Sequence, residues 1–286
     1  MATVLGLLLV VTFIASYLTT TLPNQMAIND LNHDTLVQNQ VSQLAAVATQ
    51  IASADAVGGQ ATFPVSLGSV GAPPFAGPDS SLLVPLPSHN YTAGFYALYA
   101  NYSATSSAGT QSLSAAAVPG AGFVVELRNT YSSSAEVAYD EGAVIFAEPG
   151  GVPIMEDPPA ITLSGTTLAI VEPVFTNALS SESGTATAEV ALRLTAIQSV
   201  TLPVTGFALS ANVVLTIYSP YAIAWVNYFE SQTSFASATI TCTALASNVC
   251  SSSYAYQPGH GNGKVTMTIP VTSLTVTQAF FSVTVA

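Results

Sequence analysis

The sequence predicts an α+β protein: a long N-terminal hydrophobic α-helix followed by a β-rich, sandwich-like extracellular head. Two patterns predict it. From Met1 to Leu22 no side chain is charged, and Leu, Val, Ile, Phe and Ala dominate. From Phe63 onward the spacing changes to period two among β-branched residues, broken by Gly- and Pro-rich turns. The expected division is a stem over 1–57 and a head over 58–286. The head is either a single unit or two lobes dividing near 180–200.

The stem comes first. A helix rising about 1.5 Å per residue makes the uncharged run roughly 33 Å long, enough to cross a bilayer's hydrocarbon layer. A secretory signal peptide would need a basic n-region and a shorter apolar core. Basic residues occur only at Arg128, Arg193 and Lys264, so none flanks the segment as an orientation signal. This predicts a processed chain from which a short basic leader was removed ahead of Met1; a single-span anchor with a truncated start is the alternative. Pro23 removes a backbone donor, and a kink or local unwinding is expected there. Beyond it Val37, Val41, Leu44, Ala48 and Ile51 recur at helical spacing, while Asn32, His33, Gln38, Asn39, Gln43 and Gln50 occupy the other face. Gly58-Gly59 closes the stem. Its first half has no head residues to cover it, and must lie in lipid or against copies of itself. The residues expected to pack in such a core are Leu5, Gly6, Leu8, Leu9, Val10, Phe13, Ala15, Tyr17 and Leu18, with Gly6, Ala15 and Ser16 allowing close helix approach.

Strands are expected over 63–67, 81–86, 95–102, 122–129, 143–147, 160–163, 166–174, 185–196, 200–204, 212–218, 237–244, 264–271 and 273–285. Turns fall at 71–74, 148–152 and 157–159. Ser219-Pro220 suits the start of a helix over 221–229. The Ser-, Ala- and Gly-rich stretch 104–118 reads as a loop.

Composition narrows the function. Charged residues are 6% of the chain, with 15 acidic against 3 basic. Nucleic acid as a partner needs a basic footprint, which is missing. Ser, Thr, Tyr, Asn and Gln carry the polarity instead, suiting an extracellular protein in an acidic setting where carboxylates are mostly protonated. Cys242 and Cys250 fit a small disulfide-closed loop in an oxidising exterior; two buried free thiols are the alternative. Asn90-Tyr91-Thr92 and Asn101-Tyr102-Ser103 are glycosylation sequons.

A resemblance adds to this reading. Val37-Gln38-Asn39-Gln40, then Pro64-Val65-Ser66-Leu67-Gly68 and Pro73-Pro74-Phe75, then Tyr139-Asp140-Glu141-Gly142-Ala143-Val144-Ile145, resemble in order the segments of an archaeal type IV pilin-like surface protein family. The resemblance runs from residue 1 to about 230. It implies an extracellular, cell-surface filament of identical subunits held by their N-terminal helices. It also implies a leader peptidase, an assembly machinery, and a membrane-inserted state before assembly. Bacterial pilins carry a glutamate at the fifth mature position; Leu5 stands here, which favours the archaeal branch. The expected function is therefore a structural filament subunit serving adhesion. The rival is a monomeric, membrane-anchored surface protein that binds glycans or other cells through its head.

Catalytic candidates are few. His33 is expected on the polar face of the stem, in solvent or at an inter-subunit contact, and His89 in an exposed polar loop. Residues 259–264 lack the spacing of a phosphate loop. Glu136, Asp140, Glu141, Glu148, Glu156 and Asp157 cluster in sequence, but without the alternate-position pattern of a calcium loop. The aromatic groups Phe95, Tyr96, Tyr99, Tyr102 and Tyr218, Tyr221, Trp225, Tyr228, Phe229 suit a core or a subunit contact. The chain is read as neither an enzyme nor a cofactor or metal binder. Peptide mass mapping of native material is expected to find a glycan on Asn90 or Asn101; unmodified peptides spanning both would remove that expectation.

Overall fold

A computed structural model describes residues 2–72, 76–85, 99–106, 109–114, 122–176, 180–202, 211–244, 250 and 263–286. The N-terminal helix is continuous but changes hydrogen-bond register once. Helix α1 (Ala2–Ser16) passes through a π-helical turn, Tyr17–Thr21, into α2 (Leu22–Ser53). The Leu22 N–H donates to the Tyr17 carbonyl, five residues back. Pro23, at the second position of α2, has no N–H to give to the preceding turn, and the wider turn absorbs the mismatch without breaking the helix.

After the stem come β1 (Gln60–Ser66), β2 (Ser81–Pro85), β3 (Tyr99–Ser106), β4 (Gly109–Ser114), β5 (Phe123–Leu127), β6 (Ala135–Asp140), β7 (Ala143–Ala147) and β8 (Ile154–Asp157). The chain continues through β9 (Ile161–Ser164), β10 (Thr167–Phe175), β11 (Glu182–Gly184), β12 (Thr187–Leu202) and β13 (Ala211–Ser219). A short helix, α3 (Ala222–Ser231), precedes β14 (Thr239–Ala244), β15 (Gly263–Val271) and β16 (Ser273–Val285). The protein is thus α+β, with a long apolar N-terminal helix and a β-rich head.

The strands form three sheets, ordered β1-β12-β16-β10-β9, β11-β2-β5-β6-β7-β8 and β14-β15-β13-β3-β4. The middle one is buried on both faces. Phe123, Val125, Val137, Tyr139 and Val144 face a core shared with α2, β1, β12 and the end of β16. Val124, Ala138, Ala143, Ile145 and Ala147 face a second core made with α3, β13, β15, β9 and the start of β16. Strands buried on both faces read as continuous apolar runs, as β7 does. A bulge between Leu194 and Ala196 shifts the β12–β16 register. Beside it β16 changes the face it buries, from Leu274 and Val276 to Ala279, Phe281 and Val283.

Several expectations need correction. Residues within 104–118 are not simply a loop: β3 runs to Ser106 and pairs with β4. The separate strands expected over 185–196 and 200–204 are one strand, β12. Strands β6, β8 and β11 were not expected, because acidic and small residues interrupt their apolar pattern. At α3 the Ser219 hydroxyl accepts from the Tyr221 N–H, but Tyr221 is the residue at the cap position. The turns expected at 71–74 and the strand expected over 95–102 fall partly outside the described residues.

Cys242 and Cys250 are joined by a disulfide, with their Cα atoms 5.6 Å apart. Closing so short a loop restricts the unfolded chain, so reduction is expected to cost about 2–3 kcal/mol. Denaturant unfolding with and without reductant checks this, and native thiols that alkylate freely would contradict the bond. Leu44 is fully buried between α2 and the head. Leu44→Ala is expected to destabilise the head by about 2–5 kcal/mol in full-length protein held in detergent. Leu8→Ala, on the wholly exposed half, is expected to stay within about 0.5 kcal/mol.

Candidate assembly interface

Every residue from Thr3 to Ser16 in the apolar half of the stem is exposed. Leu5, Leu8, Leu9 and Val10 are 67, 63, 66 and 55% exposed, Phe13 is 73% exposed, and Leu18 is 38% exposed. Gly6 and Ala15 are exposed as well, while Tyr17 is half-buried, its hydroxyl 3.4 Å from Gln25 Oε1. A Cβ added at Gly6 would meet nothing within 4 Å in the single chain. Three hydroxyls in this stretch are turned inward: Thr12 donates to the Leu8 carbonyl at 2.8 Å, Thr19 to Ala15 at 2.9 Å and Thr20 to Ser16 at 2.7 Å. Spending each donor on the helix's own backbone leaves a surface with little left to offer water. The helix is long and apolar enough to cross a membrane, and its most apolar window has nothing buried.

Beyond the proline the stem has two faces. The buried one runs Met26, Asp30, His33, Asp34, Val37, Val41, Leu44, Ala45, Ala48 and Ala52, and Leu22 just before the proline is buried as well. The outer one exposes Ile28, Leu31 and Leu36, at 58, 55 and 46%. These three lie among Asn32, Thr35 and Asn39, and point away from the protein's own head.

The head grips the stem through polar side chains on and beside the buried face. Asp30 Oδ2 accepts the Tyr131 and Ser132 N–H groups at 3.1 and 3.2 Å. Asp34 accepts from Asn129 Nδ2 at 3.0 Å, and Asn29 Nδ2 donates to the Val70 carbonyl at 2.7 Å. His33 was expected in solvent but is buried, with Nε2 at 3.1 Å from the Ser66 carbonyl oxygen. Its helical position between Asp30 and Val37 places it on the inward face, and burial lowers its pKa. Burial pushes Asp34 up to about 6, although the Asn129 hydrogen bond works the other way. The Asp30–His33–Asp34 spacing is legible in the sequence; what was missing was the knowledge that two head loops would arrive there with N–H donors.

A second polar group lies inside the head. The β6–β7 hairpin turns through Glu141 and Gly142, both at positive φ. It presents Asp140 to one core, where Ser219 Oγ donates to Asp140 Oδ2 at 2.6 Å and Trp225 Nε1 does so at 3.0 Å. Burial raises Asp140 to about 6. Burial first, and then the neighbouring Glu172 of β10, raise the Glu141 pKa well above the usual carboxylate range, while Gln278 Nε2 of β16 donates to Glu172 Oε2 at 3.0 Å. Nearby the Tyr221 hydroxyl donates to Glu136 at 2.9 Å. Glu148, another of the clustered acids, accepts instead from the Ser133 hydroxyl. Among the described residues no group of three or more His, Cys, Asp or Glu is placed to hold a metal ion.

The remaining candidates disperse. Tyr221, Trp225 and Phe229 are core residues, while Tyr228 lines a cleft of about 390 Å³ between β8 and α3 with Ile154, Met155 and Asn227. Tyr218 lies under the Lys264 ammonium, 5.9 Å from its ring centre. Asn101 lies in β3, paired with Val214 and Ser114; Asn90, His89 and His260 lie outside the described residues.

Neither a curated protein nor a solved structure is matched. A model for a family of unknown function, DUF7289, matches residues 103–277. That span starts within β3 and ends within β16, so it takes in β5 to β8 of the middle sheet and β13 to β15 of the third, and leaves out the stem, β1 and β2. It covers more than half of the chain, which therefore belongs to this family.

Proposed function

We propose that this protein is a structural subunit of an archaeal type IV pilus-like extracellular filament, serving adhesion and polymerising with identical subunits through its N-terminal helix. A leader peptidase and a pilus assembly machinery are the further partners in this reading, with the chain held in the membrane before assembly. One observation carries the reading: the outer face of α2 exposes Ile28, Leu31 and Leu36 beyond the stretch that a bilayer would cover. Residues 3–22 fill the roughly 30 Å of hydrocarbon, and Leu36 sits about 21 Å further along the helix axis. A membrane anchor accounts for α1 but leaves these three side chains in water. Neighbouring helices in a filament would cover both halves with one kind of contact. The scarcity of charge on these faces suits helix-to-helix packing. Glycans at Asn90 or Asn101 would hydrate the heads on the outer surface.

The two readings part at Leu36. An aspartate there costs an anchored monomer almost nothing, because the position faces away from lipid and from the head. In a filament the same charge is buried at every subunit contact, without a partner. Leu36→Asp is expected to cut filament yield in sheared cell-surface material by at least about tenfold, equivalent to roughly 1.4 kcal/mol or more per contact. Its membrane retention and head unfolding midpoint should match the wild type. Leu8→Asp should abolish filaments too, but with reduced retention. Normal filaments from both variants, or none from wild-type surfaces by electron microscopy, would end the proposal.

A further inference from the structure

We propose that the head adds an apolar collar to the stem, Val70 and Tyr131 beside Ile28 and Leu31, which receives helix α1 of a second copy of this chain. The inference rests on the filament reading and names the surface that one subunit offers to the next. Ile28 and Leu31 lie three residues apart on one helical face and are 58 and 55% exposed. Val70 is 72% exposed and Tyr131 37%. These two come from separate loops of the head, the first between β1 and β2 and the second between β5 and β6.

Hydrogen bonds hold both loops to the helical turn that carries Ile28 and Leu31. Asn29 Nδ2 donates to the Val70 carbonyl at 2.7 Å, and the Tyr131 N–H donates to Asp30 Oδ2 at 3.1 Å. Each loop is thus fixed through the backbone of the residue whose side chain it exposes. The loops are also tied to each other. Asp79 Oδ2 accepts the Thr130 N–H at 2.7 Å, and its Oδ1 accepts the Thr130 hydroxyl at 2.6 Å. On the other side the Asp79 N–H donates to Ser69 Oγ at 3.0 Å. Apolar side chains on loops braced in this way need little further ordering when a partner arrives, so their burial counts almost fully toward association.

The chemistry of the collar selects its occupant. Three carboxylates lie in it, yet Asp30 and Asp34 are buried and both oxygens of Asp79 are taken by Thr130. Arg128, where the second loop begins, is paired with Glu126. The outward side is therefore apolar without a free charge, and suits an uncharged apolar partner. Lipid is out of reach: Leu31 sits about 13 Å past the hydrocarbon edge at Leu22, beyond a headgroup layer roughly 5–8 Å deep. Helix α1 is the matching surface, since no residue in it is charged and all from 3 to 16 are exposed. A parallel neighbour displaced by about 33 Å along the axis sets Leu9 of its α1 level with Leu31. The contact joins two different surfaces of one chain, so it repeats from copy to copy instead of closing into a dimer.

Full-length protein carrying a benzophenone side chain at position 70 tests this by photo-crosslinking, in assembled filaments and after dispersal in detergent. Filaments are expected to give dimers whose adduct maps to a peptide within residues 2–21 of the second copy, and dispersed protein none. Val70→Asp should lower filament yield at least about tenfold, with membrane retention and head unfolding midpoint unchanged. Val57→Asp is the control: Val57 is 59% exposed but lies past the other end of α2, and its yield should stay within about twofold of wild type. Should Val70→Asp fail to fold, the crosslink alone decides. Adducts on lipid or on another head, normal filaments from a folded Val70→Asp, or an equal loss in Val57→Asp would each overturn the collar. If Leu36→Asp still removes filaments in that case, the filament reading stands without it; wild-type surfaces that yield no filaments would remove both.

Discussion

Every residue from 3 to 16 is exposed to solvent in the single chain. Leaving apolar area wet costs about 25 cal/mol for each Å², so a helix this long with no cover is the least satisfied part of the protein. The remaining organisation follows from that constraint. Only the second half of the stem carries a face the head can use, and the three sheets are arranged so that the sheet made of β1, β12, β16, β10 and β9 and the doubly buried middle sheet both close on α2. The head covers what it can reach. The remainder is available to lipid or to another helix, and Ile28, Leu31 and Leu36 continue that uncovered surface past the proline.

Scarcity of positive charge is the second constraint. With 3 basic residues for 15 acidic ones, buried carboxylates cannot all be neutralised by ion pairs. The protein meets the cost in two ways. Near the stem, Asp30 and Asp34 collect N–H donors from loop backbone and from Asn129, which is how a carboxylate is satisfied without a cation. At the junction of the cores, Asp140 takes Ser219 and Trp225 as donors, and Glu172 takes Gln278. The first arrangement fixes the direction in which the stem leaves the head. The second brings β6 of the middle sheet to β13 and α3 at one hairpin.

How much of this was legible follows from the range of the interactions. The buried side of α2 was readable at Val37, Val41, Leu44 and Ala48, because a helical period is set by residues three and four apart. The same period run backwards reaches His33 and Asp30, yet polarity argued for solvent there. That inference failed because the compensating donors sit about a hundred residues away. Strands β15 and β16 were legible from alternation, whereas β6 was not: all six of its residues are buried, three with acidic or phenolic groups that mimic a turn. The stretch over 104–118 was misread for a related reason, since Ser, Ala and Gly hold little β-preference by themselves and β4 is held by its ladder with β3.

Sequence by itself determined the fold class, the bilayer-length apolar run and the inward stripe of α2, because each depends on neighbours a few residues apart. The π turn before Pro23 belongs with them in origin, since proline's missing donor acts within a single helical turn. Tertiary structure alone decided the double burial of the middle sheet, the change of face along β16, and the meeting of Glu172 with Gln278. Those depend on long-range strand pairing, such as β10 with β16, whose register no local pattern carries.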